Sequence, residues 1–313
     1  MFNSRKKPRE SSLWARTRSR AAACLPTARQ LESICLWTRR GLILGLVVAA
    51  VWGSLEIRRR VREDERFYVD RWSIEVGDLP PWVTPEIRGV LESVPLASPP
   101  ERLSLFERGV LSRLKTAVER SPWVGRVSGI GLKYPTFTRG GVFDLRLDLR
   151  RPVALVEQGG LYYLADAEGL RLGEPYGEPP TAWFGVPAII GIHSPGPLPS
   201  SGERWRSRDV HQGLEVAKAL AEGGIHREFP ERPVHAIDLT NLHGRVNPRE
   251  SEILLWVGQQ RLAWGRSPIS AGARTVPLET LLANLRFVLA HPELCEQYAV
   301  IHLHRNNITG IRG

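Results

Sequence analysis

Cysteine is scarce in this sequence, with three in 313 residues. Cys24 and Cys35 precede the one long apolar run, and Cys295 stands alone after it. No disulfide can therefore form within the C-terminal part, which must be stabilised by ordinary packing. No cysteine spacing resembles a zinc or redox site.

Catalytic motifs are missing as well. The sequence has no G-x-S-x-G, no H-E-x-x-H, no phosphate-binding loop and no dinucleotide fingerprint. His302 and His304 would share one face of a strand, but no third ligand lies at a recognisable spacing. Asp144 and Asp148 also share a face, with Arg146 between them, which predicts a solvated charge ladder rather than paired catalytic carboxylates. We therefore expect a protein that is not an enzyme and has no cofactor, metal or small-molecule substrate.

The large C-terminal part lacks an excess of either charge. The net charge is +10, but residues 1–60 hold 13 Lys+Arg against 3 acidic residues, and residues 61–313 hold 30 of each. A neutral body has no field that attracts phosphate, so the sequence argues against a nucleic-acid partner. The hydrophobic content of 42% excludes a disordered chain.

The basic residues flank one hydrophobic run, residues 41–55 (GLILGLVVAAVWGSL). As a helix this run spans about 22 Å, less than a hydrocarbon core of about 30 Å. An upstream extension through residues 34–37 gives enough length, because Arg39 and Arg40 can direct their charges toward the headgroups. We predict a transmembrane helix over residues 41–57. A cleaved signal peptide and a buried core helix are the alternatives.

The orientation of this helix follows from weaker signals. Arginines occur on both sides of the run, so a count over the close flanks is indecisive. The downstream basic residues alternate with acidic ones, and a large following domain is translocated regardless of its charge. We expect residues 1–40 to form a basic cytoplasmic tail and the C-terminal domains to lie outside the cytoplasm, at the inner (cytoplasmic) membrane.

Residues 67–152 predict a β-α-α-β-β unit. Residues 72–77 alternate apolar and polar side chains, as a half-buried strand does. Thr84-Pro85-Glu86 opens a short helix, and a second helical stripe starts at Leu103 and stops before Pro122. Strands follow over residues 123–134 and 142–151, and we expect Trp123 to be a packing residue at the sheet edge.

Residues 153–313 predict a strand-rich second domain with helices, so the expected fold class is α+β. A helix capped by Ser207 and a last helix after Pro277, ending before Pro292, interrupt the strands. The expected strands cover residues 153–157, 161–164, 170–172, 234–239, 253–257, 260–264, 299–304 and 308–311, and residues 186–192 form an apolar segment within a proline-rich stretch.

This layout resembles the cell-division protein FtsQ and its relative DivIB. The resemblance covers most of the chain: a basic tail, one span, a POTRA-type unit and a second, strand-rich domain. Five short sequence segments, taken in this order along the chain, reinforce the resemblance. They are Ile74-Glu75-Val76-Gly77, Ser121-Pro122-Trp123-Val124, Arg151-Pro152-Val153-Ala154, Leu164-Ala165-Asp166-Ala167-Glu168-Gly169 and Val186-Pro187-Ala188-Ile189-Ile190-Gly191. The loop over residues 134–141 and the insert over residues 193–206 depart from the family pattern.

The resemblance implies a non-enzymatic scaffold of the division machinery, anchored in the cytoplasmic membrane. It implies that the partners are small bitopic division proteins, FtsB-like and FtsL-like, and that a partner segment adds as a strand to the terminal strand. The residues agree with this mode, because a last strand would leave unpaired N–H and C=O groups at a sheet edge. The expected partner-binding residues are Ile308, Thr309, Gly310 and Ile311.

A second function stays open. A POTRA-type unit also suits a chaperone or docking module of an envelope protein secretion or assembly system. Such a module would be expected to precede a β-barrel or to occur in several copies, whereas the second half of this chain predicts helices among its strands.

Overall fold

The computed structural model describes residues 28–69, 72–93, 103–180, 185–266, 276–305 and 309–311. The chain divides into two compact units, Met1–Glu65 and Arg66–Gly313. Both predicted extracytoplasmic domains, from residue 67 onward, fall within the second unit.

The first unit contains one long helix, α1 (Ala28–Glu63). Within it, Cys35–Glu63 is long and apolar enough to cross a bilayer. The helix runs beyond the predicted bounds of 41–57 because ion pairs one turn apart, Arg60 with Glu56 (3.1 Å) and Arg59 with Glu63 (3.4 Å), continue it past the apolar run. Among the described residues of its apolar window none is buried, so this helix is no core helix of the unit.

The second unit is mixed α+β, as predicted. Its first part contains β1 (Ser73–Val76), α2 (Pro85–Glu92), α3 (Val110–Glu119), β2 (Val124–Lys133) and β3 (Val142–Leu149). The three strands form a sheet in the order β1-β3-β2, with β1 parallel and β2 antiparallel to β3. One face of the sheet packs against α2 and α3 through Ile74, Phe143, Leu91 and Leu114.

The predicted start of the second helix was wrong. Helix α3 begins at Val110 because Gly109 has a φ of 86°, a left-handed conformation that a helix cannot continue through. Leu103 precedes α3 and is nevertheless buried, at 8% exposure, in the same core as the helix. The apolar spacing that starts at Leu103 therefore predicted the burial of this residue correctly, but it predicted a helix there incorrectly.

The remaining strands form one nine-stranded sheet in the order β12-β11-β10-β9-β8-β7-β4-β5-β6. The strand bounds are β4 (Pro152–Gln158), β5 (Leu161–Asp166), β6 (Arg171–Tyr176), β7 (Ala188–Ile190), β8 (Ala236–Asp238), β9 (Ile253–Val257), β10 (Gln260–Gly265), β11 (Val300–His302) and β12 (Thr309–Ile311). Three neighbouring pairs are parallel, β4 with β7, β7 with β8 and β10 with β11.

The helices of this part are α4 (Arg208–Glu222), α5 (Ile225–Glu228), α6 (Leu278–Ala290) and α7 (Pro292–Gln297). Ser207 caps α4, as predicted, by accepting a hydrogen bond from the N–H of Val210 (3.3 Å). Pro292 does end α6 but also opens α7 at its first position, a helix that the sequence analysis missed.

Two hydrophobic cores stabilise the second unit. One joins α4 and α6 to the nine-stranded sheet through residues such as Leu214, Leu285 and Ile237. The other joins the three-stranded sheet and its helices to Leu155, Leu164 and Leu172 of the nine-stranded sheet. Trp123 lies in this second core at 4% exposure, which confirms it as a packing residue.

Candidate protein-interaction site

The expected docking strand lies at one end of the nine-stranded sheet. Thr309, Gly310 and Ile311 pair antiparallel with His302, Ile301 and Val300 of β11. No other strand of the described ranges pairs with the far side of β12. Ile308, the fourth predicted partner-binding residue, lies outside the described residues.

The ladder fixes which backbone groups of β12 point outward. Leu303 N–H donates to the carbonyl oxygen of Ala263 (2.9 Å), in the parallel register that pairs Ile301 with Leu262. In such a ladder the N–H and C=O of Ile301 are directed to β10, and those of its neighbours to β12. Gly310, which is opposite Ile301, therefore directs its own N–H and C=O away from β11. Those are the groups that an added strand would bond.

The side chain of Tyr298 contacts the edge strand β12 at Gly310. A Cβ placed on Gly310 would lie 2.3 Å from Cγ of Tyr298, far inside van der Waals contact. The amide of Gln260 donates to the carbonyl oxygen of Tyr298 (3.0 Å), and Ala299 N–H donates to the carbonyl oxygen of Ile311 (2.8 Å). Glycine at 310 thus permits close approach of a tyrosine of the same chain, a role that the sequence analysis did not anticipate.

The other two residues of β12, Thr309 and Ile311, are exposed. Side chains alternate along a strand, so Thr309 and Ile311 lie on the face opposite to that of Tyr298. Thr309 is exposed, and Ile311 is 57% exposed. A partner strand paired with Gly310 would extend this face and could cover Ile311.

The opposite edge of the same sheet is covered. On β6, Arg171 N–H donates to the carbonyl oxygen of Glu203, and Gly202 N–H donates to that of Arg171, both at 2.9 Å. Gly173 has a φ of 61°, which bends the strand. Pro175, two residues later, has no backbone N–H to donate to an added strand. The two edges of one sheet therefore differ, and β12 is the one whose outer backbone pairs with no described strand.

The three-stranded sheet also has an edge strand, β2, which is ten residues long. Its pairing with β3 shifts register twice, and the carboxylate of Glu119 accepts a hydrogen bond from Val127 N–H (3.2 Å). These features twist the strand and cap part of its edge. The outer portion near Ile130 and Leu132 stays regular.

The charged face of the three-stranded sheet is a ladder of exposed ion pairs, as predicted. Asp148 accepts from Arg126 (2.7 Å), and Glu75 accepts from Lys133 (2.9 Å) and Arg139 (2.5 Å). The hydrogen bond from Lys133, opposed by partial burial and aided by the charges of Lys133 and Arg139, lowers the pKa of Glu75. Each carboxylate faces a cation, so no free acid and base are brought together here.

The two histidines singled out by the sequence line a surface cleft of about 610 Å³ beside the start of β12. The rings of His302 and His304 lie 5.2 Å apart, and His304 Nδ1 bonds the carbonyl oxygen of Ala263 (3.2 Å). Burial, followed by the charges of Arg305 and His304, lowers the pKa of His302. Across the described ranges no group of three or more His, Cys, Asp or Glu side chains could hold a metal ion.

Comparisons with known proteins leave the family open. No protein-family model matches the chain, and no curated protein matches it.

Sequence reasoning missed Tyr298, the residue that holds β12 in place. It stands between α7 and β11, and α7 itself was not expected. The sequence does not indicate that Gly310, twelve positions after Tyr298, will pack against the tyrosine ring. That contact depends on how β11 and β12 pair.

Proposed function

We propose that this protein is a non-enzymatic, membrane-anchored scaffold of the cell-division machinery, of the FtsQ type, that binds a partner by strand addition at β12. The observation that carries the proposal is the outward-facing backbone of Gly310 on an edge strand whose counterpart β6 is covered. A strand edge that no described strand covers, beside an exposed isoleucine, suits a partner strand better than a small molecule.

The anchor in this proposal is α1, with the N-terminus in the cytoplasm and both domains outside. The apolar length of Cys35–Glu63 supports a single pass. The order β1-α2-α3-β2-β3 supports a POTRA-type first domain. The partners are small bitopic division proteins, FtsB-like and FtsL-like, because such proteins would carry their strand-forming segments close to the same membrane.

A crosslinking experiment on the full-length protein tests this function. A photo-crosslinking amino acid replaces Ile311 on β12 or, in a parallel strain, Lys133 on β2. We expect small single-span division proteins to be crosslinked from position 311, and a fluorescent fusion of the protein to concentrate at the division site. Crosslinks from position 311 to no division protein, together with uniform localisation, would reject the proposal.

The second candidate function is a docking module of an envelope secretion or assembly system. Strand β2 favours it, because β2 is longer than β12 and its outer portion is regular. In the same experiment this function predicts crosslinks from position 133 to envelope-assembly proteins and none from position 311 to division proteins.

A further inference from the structure

The turn between β2 and β3 holds a phenylalanine in full contact with solvent. Phe137 is 101% exposed and Tyr134 is 57% exposed. The turn is nevertheless well defined: Thr136 N–H donates to the carbonyl oxygen of Arg139 (2.8 Å), and Arg139 N–H donates to the hydroxyl of Thr136 (3.1 Å). Phe137 and Tyr134 thus place two exposed aromatic rings on one ordered turn.

This turn lies where the chain enters the second unit. Ser73 N–H, at the start of β1, donates to the carbonyl oxygen of Gly141 (3.1 Å). Trp72 packs edge-on against Tyr134, with ring centroids 6.0 Å apart, and its indole N–H donates to the carbonyl oxygen of Arg66 (3.2 Å). The turn is thus held against residues that follow directly after α1 in the chain.

Further aromatic side chains lie near the same entry point. The rings of Phe67 and Phe106 have centroids 5.3 Å apart, and Leu105 N–H donates to the carbonyl oxygen of Phe67 (2.9 Å). Phe106 is 45% exposed. In the sequence, only two residues separate Glu63, the end of α1, from Arg66.

The charges next to the turn are balanced. Lys133 and Arg139 both pair with Glu75, and Lys133 also lies 3.9 Å from Asp144. The turn therefore has no net cationic field, and any attraction to a membrane would come from its aromatic rings rather than from anionic lipid.

We propose that residues 134–138 lie in the interface of the phospholipid bilayer that α1 spans, with Phe137 among the upper acyl chains and Tyr134 at the headgroups. Aromatic side chains favour this depth because their apolar rings and polar edges match the boundary between tails and water. The contact adds a second attachment of the extracytoplasmic body to the membrane and limits the directions in which β12 can face. The inference rests on the membrane anchoring in the proposed function.

Lipid-quenching fluorescence on the full-length protein tests this inference. Serine replaces Cys24, Cys35 and Cys295, and an environment-sensitive dye is attached at Thr138→Cys, which leaves Phe137 intact. Matched proteins carry the dye at Val246→Cys, an exposed loop position of the second unit, or at Val48→Cys within the apolar stretch of α1. Each is reconstituted into phosphatidylcholine vesicles that contain nitroxide-labelled lipid.

We expect the dye at position 138 to shift its emission to the blue and to lose most of its fluorescence to the nitroxide, whereas the dye at position 246 keeps it. Adding Phe137→Ser should restore the fluorescence at position 138. Adding phosphatidylglycerol should change little, because the charges near the turn cancel.

Each contrary result has a separate meaning. Strong quenching at position 48 without quenching at position 138 would overturn the inference while the anchor stands. An unquenched dye at position 48 would contradict the anchor itself. A blue shift at position 138 without lipid quenching would show that protein covers the turn, which also overturns the inference.

Discussion

Gly310 lies beneath the ring of Tyr298 with no room for a side chain between them, since an added Cβ would come within 2.3 Å of Tyr298 Cγ. Tyr298 packs in turn against the core formed with α4 and α6. The edge strand is therefore held to the body by contact as well as by its ladder with β11. A partner would meet an edge that is already fixed in position, which reduces the ordering cost of binding.

Gly310→Ala should displace β12. The methyl group would overlap Tyr298, and overpacking of this kind costs typically about 1–3 kcal/mol unless the strand can move away. We expect faster hydrogen–deuterium exchange in the peptide that contains Thr309 and Ile311, whose N–H groups face β11. The double variant Gly310→Ala with Tyr298→Ala should recover slow exchange. Exchange in Gly310→Ala equal to that of the unmodified protein would contradict the contact.

The two helix caps should differ in their contribution to stability. The Ser207 hydroxyl accepts from Val210 N–H (3.3 Å) and donates to the carbonyl oxygen of Ser194 (2.5 Å), and Ser207 is buried. Thr84 accepts a longer bond from Ile87 N–H (3.4 Å) and also bonds the carboxylate of Glu86, but it is only partly buried. Ser207→Ala should therefore lower the free energy of unfolding by about 1–2 kcal/mol and Thr84→Ala by about 0.5–1 kcal/mol. Denaturant titrations of both variants measure the difference, and equal losses would show that the burial of Ser207 and its bond to Ser194 add nothing.

His226 should make the folded state sensitive to acid. Both ring nitrogens are buried, and neither has a hydrogen-bond partner among the described residues. Burial, aided by the charge of Arg151, lowers the pKa of His226 to about 4. In the unfolded chain this group has a pKa of about 6.5, so the unfolded state binds the extra proton between those two values.

The stability that depends on His226 is therefore complete above pH 6.5 and is lost as the pH falls to about 4. The loss should amount to about 2–3 kcal/mol in the free energy of unfolding. His226→Phe, which keeps an aromatic ring and removes the titration, should flatten this part of the pH profile. Burial also lowers the pKa of His235 and of His302, so a smaller slope should persist. An unchanged profile in His226→Phe would contradict the assignment.

Local chemistry predicted much of the fold. Thr84 with Pro85, and Ser207, fixed helix starts because a cap needs only a few neighbouring residues. The strand Ile253–Val257, a run of uninterrupted apolar residues, has the predicted bounds, whereas β4, β5 and β10 extend one or two residues beyond theirs. The start of α3 failed because an apolar spacing cannot distinguish a helix from an irregular segment that packs into the same core, as Leu103 does.

The site was only partly predictable. The position of Thr309–Ile311 at a sheet edge agrees with the expectation from sequence. The outward direction of the Gly310 backbone depends on the register of β10, β11 and β12, and the contact with Tyr298 depends on how α7 leads into β11. Both are consequences of long-range pairing, about which the local residue pattern carries no information.

The central claim is that the protein binds its partner through the backbone N–H of Gly310, and a matched pair of variants tests it most directly. In a Tyr298→Ala background, which makes room for a side chain, Gly310→Pro removes that N–H and Gly310→Ala keeps it. Full-length proteins are purified from crosslinked membranes, and the small single-span division proteins that accompany them are quantified by mass spectrometry. We predict that the alanine variant retains these partners and that the proline variant loses them by about tenfold or more, which corresponds to about 1.4 kcal/mol. Equal recovery by the two variants would contradict strand addition at β12.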